Sequence, residues 1–249
     1  MEEFEQQEIH NEAPQEINQP QQEEYTNAPQ NNGIDWGGDI KRFFTEDLKD
    51  MLLAIIKRPA TGAQQWLDNT QSKSIVNPIC MILSSFVLIT LMAFIILHIK
   101  LGNAVGFGTS LAIGTTPIFF SLFISLFMFI FMAIKQKPDI IMAFRQSSLH
   151  VLILTMAMIA LLVTFLIFVN TDKSTLIGLA FGKIPSGYGF AALIMMLISV
   201  YAISMGFSAA RQTLKACQSN DKECYSWYIA PLVVFLPIYL SYIIVSAML

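Results

Sequence analysis

Residues 115–134 read TTPIFFSLFISLFMFIFMAI, twenty consecutive positions without a charged side chain. A helix of about 20 mostly apolar residues is what crosses a hydrocarbon layer of about 30 Å. Comparable runs lie near 75–99, 148–170, 188–210 and 227–249. The reading is an all-α membrane protein with five transmembrane helices. Residues 100–114 carry no charge after Lys100, but Gly102, Gly106, Gly108 and Gly114 interrupt them. That stretch is predicted to be a loop or a re-entrant segment.

Composition agrees with this reading. Only 13% of the 249 residues are charged, where a soluble domain carries roughly a quarter, and the mean hydropathy is +0.55. The apolar surplus is confined to residues 75–249. Residues 1–32 hold eight glutamates and three prolines with no lysine or arginine. Such a segment buries too little apolar surface to offset its ordering entropy, so 1–42 is predicted to be a disordered, acidic, Gln/Asn-rich tail. The first long apolar run starts near residue 75 and no basic residue precedes Lys41. No signal peptide is therefore expected, and the first span should persist as an anchor.

Between tail and spans, 43–73 forms a connecting region. Phe44, Leu48, Met51, Leu52, Ile55 and Ile56 recur at spacings of three and four, the pattern of an amphipathic helix. Thr45 is its expected N-cap and Pro59 its stop. The helix is expected at the membrane interface, its apolar face turned to lipid or to the bundle. Trp66 suits the same zone.

Orientation follows from the basic residues. Lys41, Arg42, Lys49, Lys57, Arg58 and Lys73 precede the first span; Lys135, Lys137 and Arg145 lie in the second connection; Arg211, Lys215 and Lys222 lie in the fourth. Only Lys100, Lys173 and Lys183 fall on the other side. This distribution predicts a cytoplasmic N-terminus and an external C-terminus.

No span interior contains Asp, Glu, Lys or Arg, although intramembrane proteases and ion-coupled transporters use such groups at depth. His98 and His150 fall at opposite ends of their spans and are read as interfacial. Cys217 and Cys224 lack further ligands at zinc spacing. The stretch Gly178–Lys183 is one residue short of a phosphate loop. No catalytic residue, metal or cofactor is expected, and no nucleic acid partner, since no basic patch with interleaved aromatics is present. Ser and Thr within the spans are read as packing residues. Pro231 and Pro237 both fall inside the fifth span and are expected to kink it.

The order of parts resembles the Yip family of five-span membrane proteins. Asp47-Leu48-Lys49 through Ile56-Lys57-Arg58-Pro59 to Gln65-Trp66-Leu67 is similar to the opening of bacterial members. Lys137-Pro138, followed by Ala143-Phe144-Arg145-Gln146 and Ser147-Ser148-Leu149, resembles the family's entry into span three. The Asp-Leu-Tyr-Gly-Pro motif of eukaryotic members is absent, so their GTPase partners and vesicle-transport role are not implied. What the resemblance implies is a non-enzymatic protein of a bacterial cytoplasmic membrane that organises the bilayer or associates with membrane proteins, including its own copies. The alternative is a permease or channel component for a small uncharged or weakly polar solute. Reporter fusions test the topology: Gln136 and Gln218 should report a cytoplasmic location and Lys100 and Lys183 an external one, and a cytoplasmic signal from Lys183 would overturn it.

Overall fold

The computed structural model describes residues 35–58, 62, 66, 75–102, 106–134, 140–169, 188–216 and 223–249, without the side chains of 215, 216 and 223–226. The tail before residue 35 and the Gly178–Gly182 stretch lie outside the described residues. Every regular element among those described is helical. The elements are α1 (Trp36–Arg42), a π-helical turn (Phe43–Asp47), α2 (Leu48–Lys57), α3 (Val76–Leu101), α4 (Phe107–Gly114), α5 (Thr116–Ile134), α6 (Ile140–Phe168), α7 (Tyr188–Ala216) and α8 (Glu223–Met248).

Helix begins earlier than the sequence pattern indicates. Asp35, not Thr45, caps it, accepting the Gly38 N–H at 3.1 Å. Thr45 lies inside the helical run, its hydroxyl donating to the Lys41 carbonyl at 3.0 Å. The π turn changes which face is buried. Its wider winding brings Phe43, Asp47, Met51 and Ile55 onto one buried side. Leu48 and Leu52 pack at the edges of that side, while Phe44 and Ile56 are exposed.

Among the described residues, five stretches are long and apolar enough to cross a membrane: Val76–Leu101, Phe107–Ile134, Ile140–Phe168, Tyr188–Leu214 and Trp227–Met248. The second starts within what the sequence marks as a glycine-interrupted loop, because α4 and α5 join through a single turn at Thr115. Pro117 has no amide hydrogen for the Ile113 carbonyl. The Thr116 hydroxyl donates to that carbonyl at 2.6 Å instead, so the helix continues without an orphaned acceptor in an apolar surround.

Cross-helix contacts fix the directions. Ser85 meets Thr155 and Lys100 meets the Val169 carbonyl, so α3 and α6 run parallel. Phe94 meets Phe107 and Gly114 lies against Thr90, which makes α4 antiparallel to α3. Phe168 stacks edge-on with Phe190 and Phe207 with Phe235, so α7 opposes both α6 and α8. Around the bundle α3 neighbours α6, α6 neighbours α7, α7 neighbours α8, and α8 returns to α5, which touches α6 and α3. Arg145 and Arg211 consequently share the end where α3 begins, and Lys100 lies at the other.

Polar and small residues share the buried side of α3 with Ile89 and Ile96. On α3 the buried positions include Asn77, Ser85, Thr90 and Ala93, while Leu83, Val87, Leu91, Ile95 and Ile99 are exposed. Small and hydroxylated residues let membrane helices approach closely. The tightest approach is at Gly114, where an added Cβ would fall onto the Thr90 hydroxyl and near the Phe86 carbonyl. Gly102, at φ 59° and ψ −142°, ends α3 in a conformation that side chains disfavour. Gly114→Leu should lower stability in detergent by about 1–3 kcal/mol through overpacking, measured by thermal unfolding, whereas Gly108→Leu, which meets open space, should be near neutral.

Candidate functional site

Polar side chains converge inside the bundle rather than on a cleft. At the end carrying Arg145 and Arg211, the Asn77 side-chain amide donates to Asp47 at 2.8 Å. Arg42 approaches the same carboxylate oxygen at 3.5 Å. Both Asp47 and Asn77 are buried, so a hydrogen bond spanning 30 residues fastens the N-terminal helix to the first turn of α3. Phe43, Met51, Ile55 and Trp66 join the same hydrophobic core as Met128, Met132, Ala143 and Leu149. The Trp66 side chain is therefore buried against the bundle.

Further along, Ser121 and Ser147 hydroxyls pair at 2.9 Å across α5 and α6. Thr155 donates to Ser85 at 2.8 Å across α6 and α3. On the same helix α6, Gln146 adjoins Ser147 and His150 lies between the two levels, 0% and 1% exposed. His150 is thus covered by neighbouring helices; a helix can turn a polar residue inward wherever its neighbours cover it. Its Nδ1 lies 3.0 Å from the Gln146 carbonyl. A carbonyl only accepts, so Nδ1 carries the hydrogen, and in the neutral ring Nε2 is an acceptor. That Nε2 and both amide atoms of Gln146 have no partner among the described residues, nor has the Ser125 hydroxyl.

A second set of polar groups faces outward. Tyr201 is the central residue of Tyr188–Leu214 and is 64% exposed. Tyr239 lies near the centre of Trp227–Met248 and is 61% exposed. Gly206 lies against Val234 and Phe207 against Phe235, which sets 201 level with 239. From Tyr201 to either span end is about 20 Å along the axis at about 1.5 Å per residue, so its hydroxyl stays in hydrocarbon. Neither tyrosine hydrogen-bonds another described residue. Only 11% of the most apolar window of α7 is buried, so this helix is the most peripheral of the five.

Among the topology-setting residues, Lys57 and Arg58 are exposed and Arg145 is half-buried. Arg211 lies over the Trp227 ring at 3.8 Å. Lys73, Lys135, Lys137, Lys222 and the side chain of Lys215 lie outside the described residues. Pro231 and Pro237 lie within the single helix α8, and the Ser241 hydroxyl donates to the Pro237 carbonyl at 2.6 Å. No three His, Cys, Asp or Glu side chains converge at metal-binding distance among the described residues.

Five helices of this length and apolarity define a multi-pass helical membrane protein. No protein-family model matches the chain, and neither a curated protein nor a solved structure does. The Asp47–Asn77 bond predicts its own test. A hydrogen bond to a charged group is worth about 1.5–3 kcal/mol, so Asn77→Leu should raise hydrogen exchange across residues 36–57 while leaving α5 and α6 protected. Unchanged exchange would show that the apolar contacts alone hold the helix.

Proposed function

We propose that this chain is a non-enzymatic, Yip-like membrane protein that acts by associating with membrane proteins or with its own copies and by organising the surrounding bilayer. The observation that carries the reading is the pair of mid-depth tyrosines, Tyr201 and Tyr239, on the outer side of α7 and α8. A hydroxyl held in hydrocarbon without a hydrogen bond costs about 1–3 kcal/mol. Two at one level favour a helix partner that offers donors and acceptors over a surface shared only with lipid. The N-terminal helix fits the same role. It buries Met51 and Ile55 and exposes Trp36, Ile40, Phe44 and Ile56, beside Lys41, Lys49, Lys57 and Arg58, as an interfacial amphipathic helix does. Gathering of Arg145 and Arg211 at the end next to this helix favours a cytoplasmic N-terminus in a bacterial cytoplasmic membrane.

A second reading, a permease or channel component, draws on the unpartnered atoms of Gln146 and His150. These could exchange hydrogen bonds with a small neutral solute passing between α3, α5 and α6. One preparation separates the readings. Reconstituted into bilayers at varied density, the wild-type chain should self-associate or hold a stoichiometric partner, and Tyr201→Phe with Tyr239→Phe should weaken that association about tenfold, the effect of about 1.4 kcal/mol. Lone monomers at every density, together with flux of a neutral solute that Gln146→Leu abolishes, would replace the first reading with the second.

A further inference from the structure

Contacts on either side of α7 define which of its faces is free. Gly206 lies against Val234 and Phe207 against Phe235, so these two residues face α8. Tyr201, Ala202 and Met205 face the other way, into a groove of about 380 Å³ whose far wall includes Ile153, Ala157 and Ala160 of α6. Between the two sides Leu193, Leu197, Val200 and Ser204 are exposed. Their spacings of four, three and four place them on one face of a helix with about 3.6 residues per turn. On α8 the exposed Leu232, Phe235, Tyr239 and Tyr242 recur in the same way. Since α7 lies between α6 and α8, the order around the bundle is the groove with Tyr201, then the α7 stripe, then Tyr239. The stripe separates the two tyrosines, and neither hydrogen-bonds another described residue.

A bilayer restricts how a second copy can approach this side. Two copies inserted in the same orientation are related by a two-fold axis along the membrane normal, and rotation about it leaves every atom at its own depth. Tyr201 and Tyr239 already share one depth, set by the Gly206 and Phe207 contacts with Val234 and Phe235. Rotation also reverses the order of elements. With the axis beside α7, the stripe of one copy meets the stripe of the other, and α8 of each meets the groove of its neighbour. Tyr239 then reaches Tyr201 of the second copy at their common depth, and the same rotation forms the reciprocal contact. A phenol both donates and accepts a hydrogen bond, so each pair satisfies itself. Ala157, Ala160 and Ala202 keep the groove beside Tyr201 open, as small residues do where membrane helices approach closely. A partner of another sequence would need polar groups at this depth on both sides of α7, whereas a second copy carries both. We infer that two copies of this chain associate through the outer faces of α7 and α8, the Tyr239 hydroxyl of each bonded to Tyr201 of the other. This names the partner in the proposed association and rests on that reading. Both tyrosine pairs are used in the closed pair, so assembly stops at two.

The test follows association of the full chain in bilayers by energy transfer between labelled copies at varied density, with disulfide crosslinking to map the contact. Every inter-copy bond needs both tyrosines, so Tyr201→Phe and Tyr239→Phe should each weaken association about tenfold, and the double variant should be no weaker than either single one. Separate partners for the two tyrosines would instead make the losses multiply. With Cys80→Ala, Cys217→Ala and Cys224→Ala as background, Val200→Cys should crosslink to its equivalent in the second copy, while Leu83→Cys on α3 and Leu122→Cys on α5, both exposed, should not. Multiplying losses, unweakened single variants, crosslinks through Leu83→Cys or Leu122→Cys in place of Val200→Cys, or a stoichiometric partner of another sequence on α7 would each overturn this arrangement and leave the broader association standing. Lone monomers at every density with no partner bound would overturn both.

Discussion

Hydrocarbon offers no hydrogen bonds, and that constraint organises this molecule more than any single contact. Each backbone carbonyl freed inside a span needs a donor from the chain itself. The Thr116 hydroxyl supplies one to Ile113 where Pro117 cannot, which is what allows α4 and α5 to act as a single crossing. Side-chain hydroxyls obey the same rule across helices, as Ser85 with Thr155 and Ser121 with Ser147 show. These bonds join α3, α5 and α6 along a polar seam in an otherwise apolar body.

The seam and the helix packing support one another. Glycine, alanine and serine at the α3–α4 crossing bring backbones close, with Gly114 against Thr90 as the extreme. Close approach removes lipid from between the helices and lets short hydroxyl side chains reach each other. Many leucines and isoleucines, such as Leu83, Leu91 and Ile95, face outward, because lipid receives them as readily as a protein core does. At the basic end the N-terminal helix continues the same logic: Phe43, Met51 and Ile55 extend the core, and Asp47 with Asn77 ties the extension down.

Where the constraint is left unsatisfied, function is the natural place to look. Gln146 and His150 keep unpartnered atoms inside the bundle, and Tyr201 and Tyr239 hold hydroxyls toward lipid at mid-depth. Unmet polar groups in an apolar medium mark positions where another molecule completes the structure. The inner pair suits something small between helices and the outer pair another helix. Both descriptions are of binding and packing, which fits a chain whose spans contain no Asp, Glu, Lys or Arg.

The sequence by itself determined the number of the crossings and roughly where each lies, because twenty uncharged apolar residues in water have few alternatives to a membrane helix. It also determined the clustering of basic residues beside alternate connections, since these positions are fixed by order along the chain. It did not show that 107–114 is helix, because Gly108 and Gly114 within it, with Gly102 and Gly106 just before, lower its helix propensity, while the close approach of Gly114 to Thr90 is visible only in the packed bundle. Nor did it show that His150, Gln146 and Trp66 are buried or that Phe44 is exposed. In a soluble protein the apolar face of a helix points inward and can be read from periodicity. In lipid both faces are apolar, so hydropathy loses its direction. Contacts between residues as distant as Asp47 and Asn77, or Ser85 and Thr155, supplied it, and these exist only once the helices have chosen their neighbours.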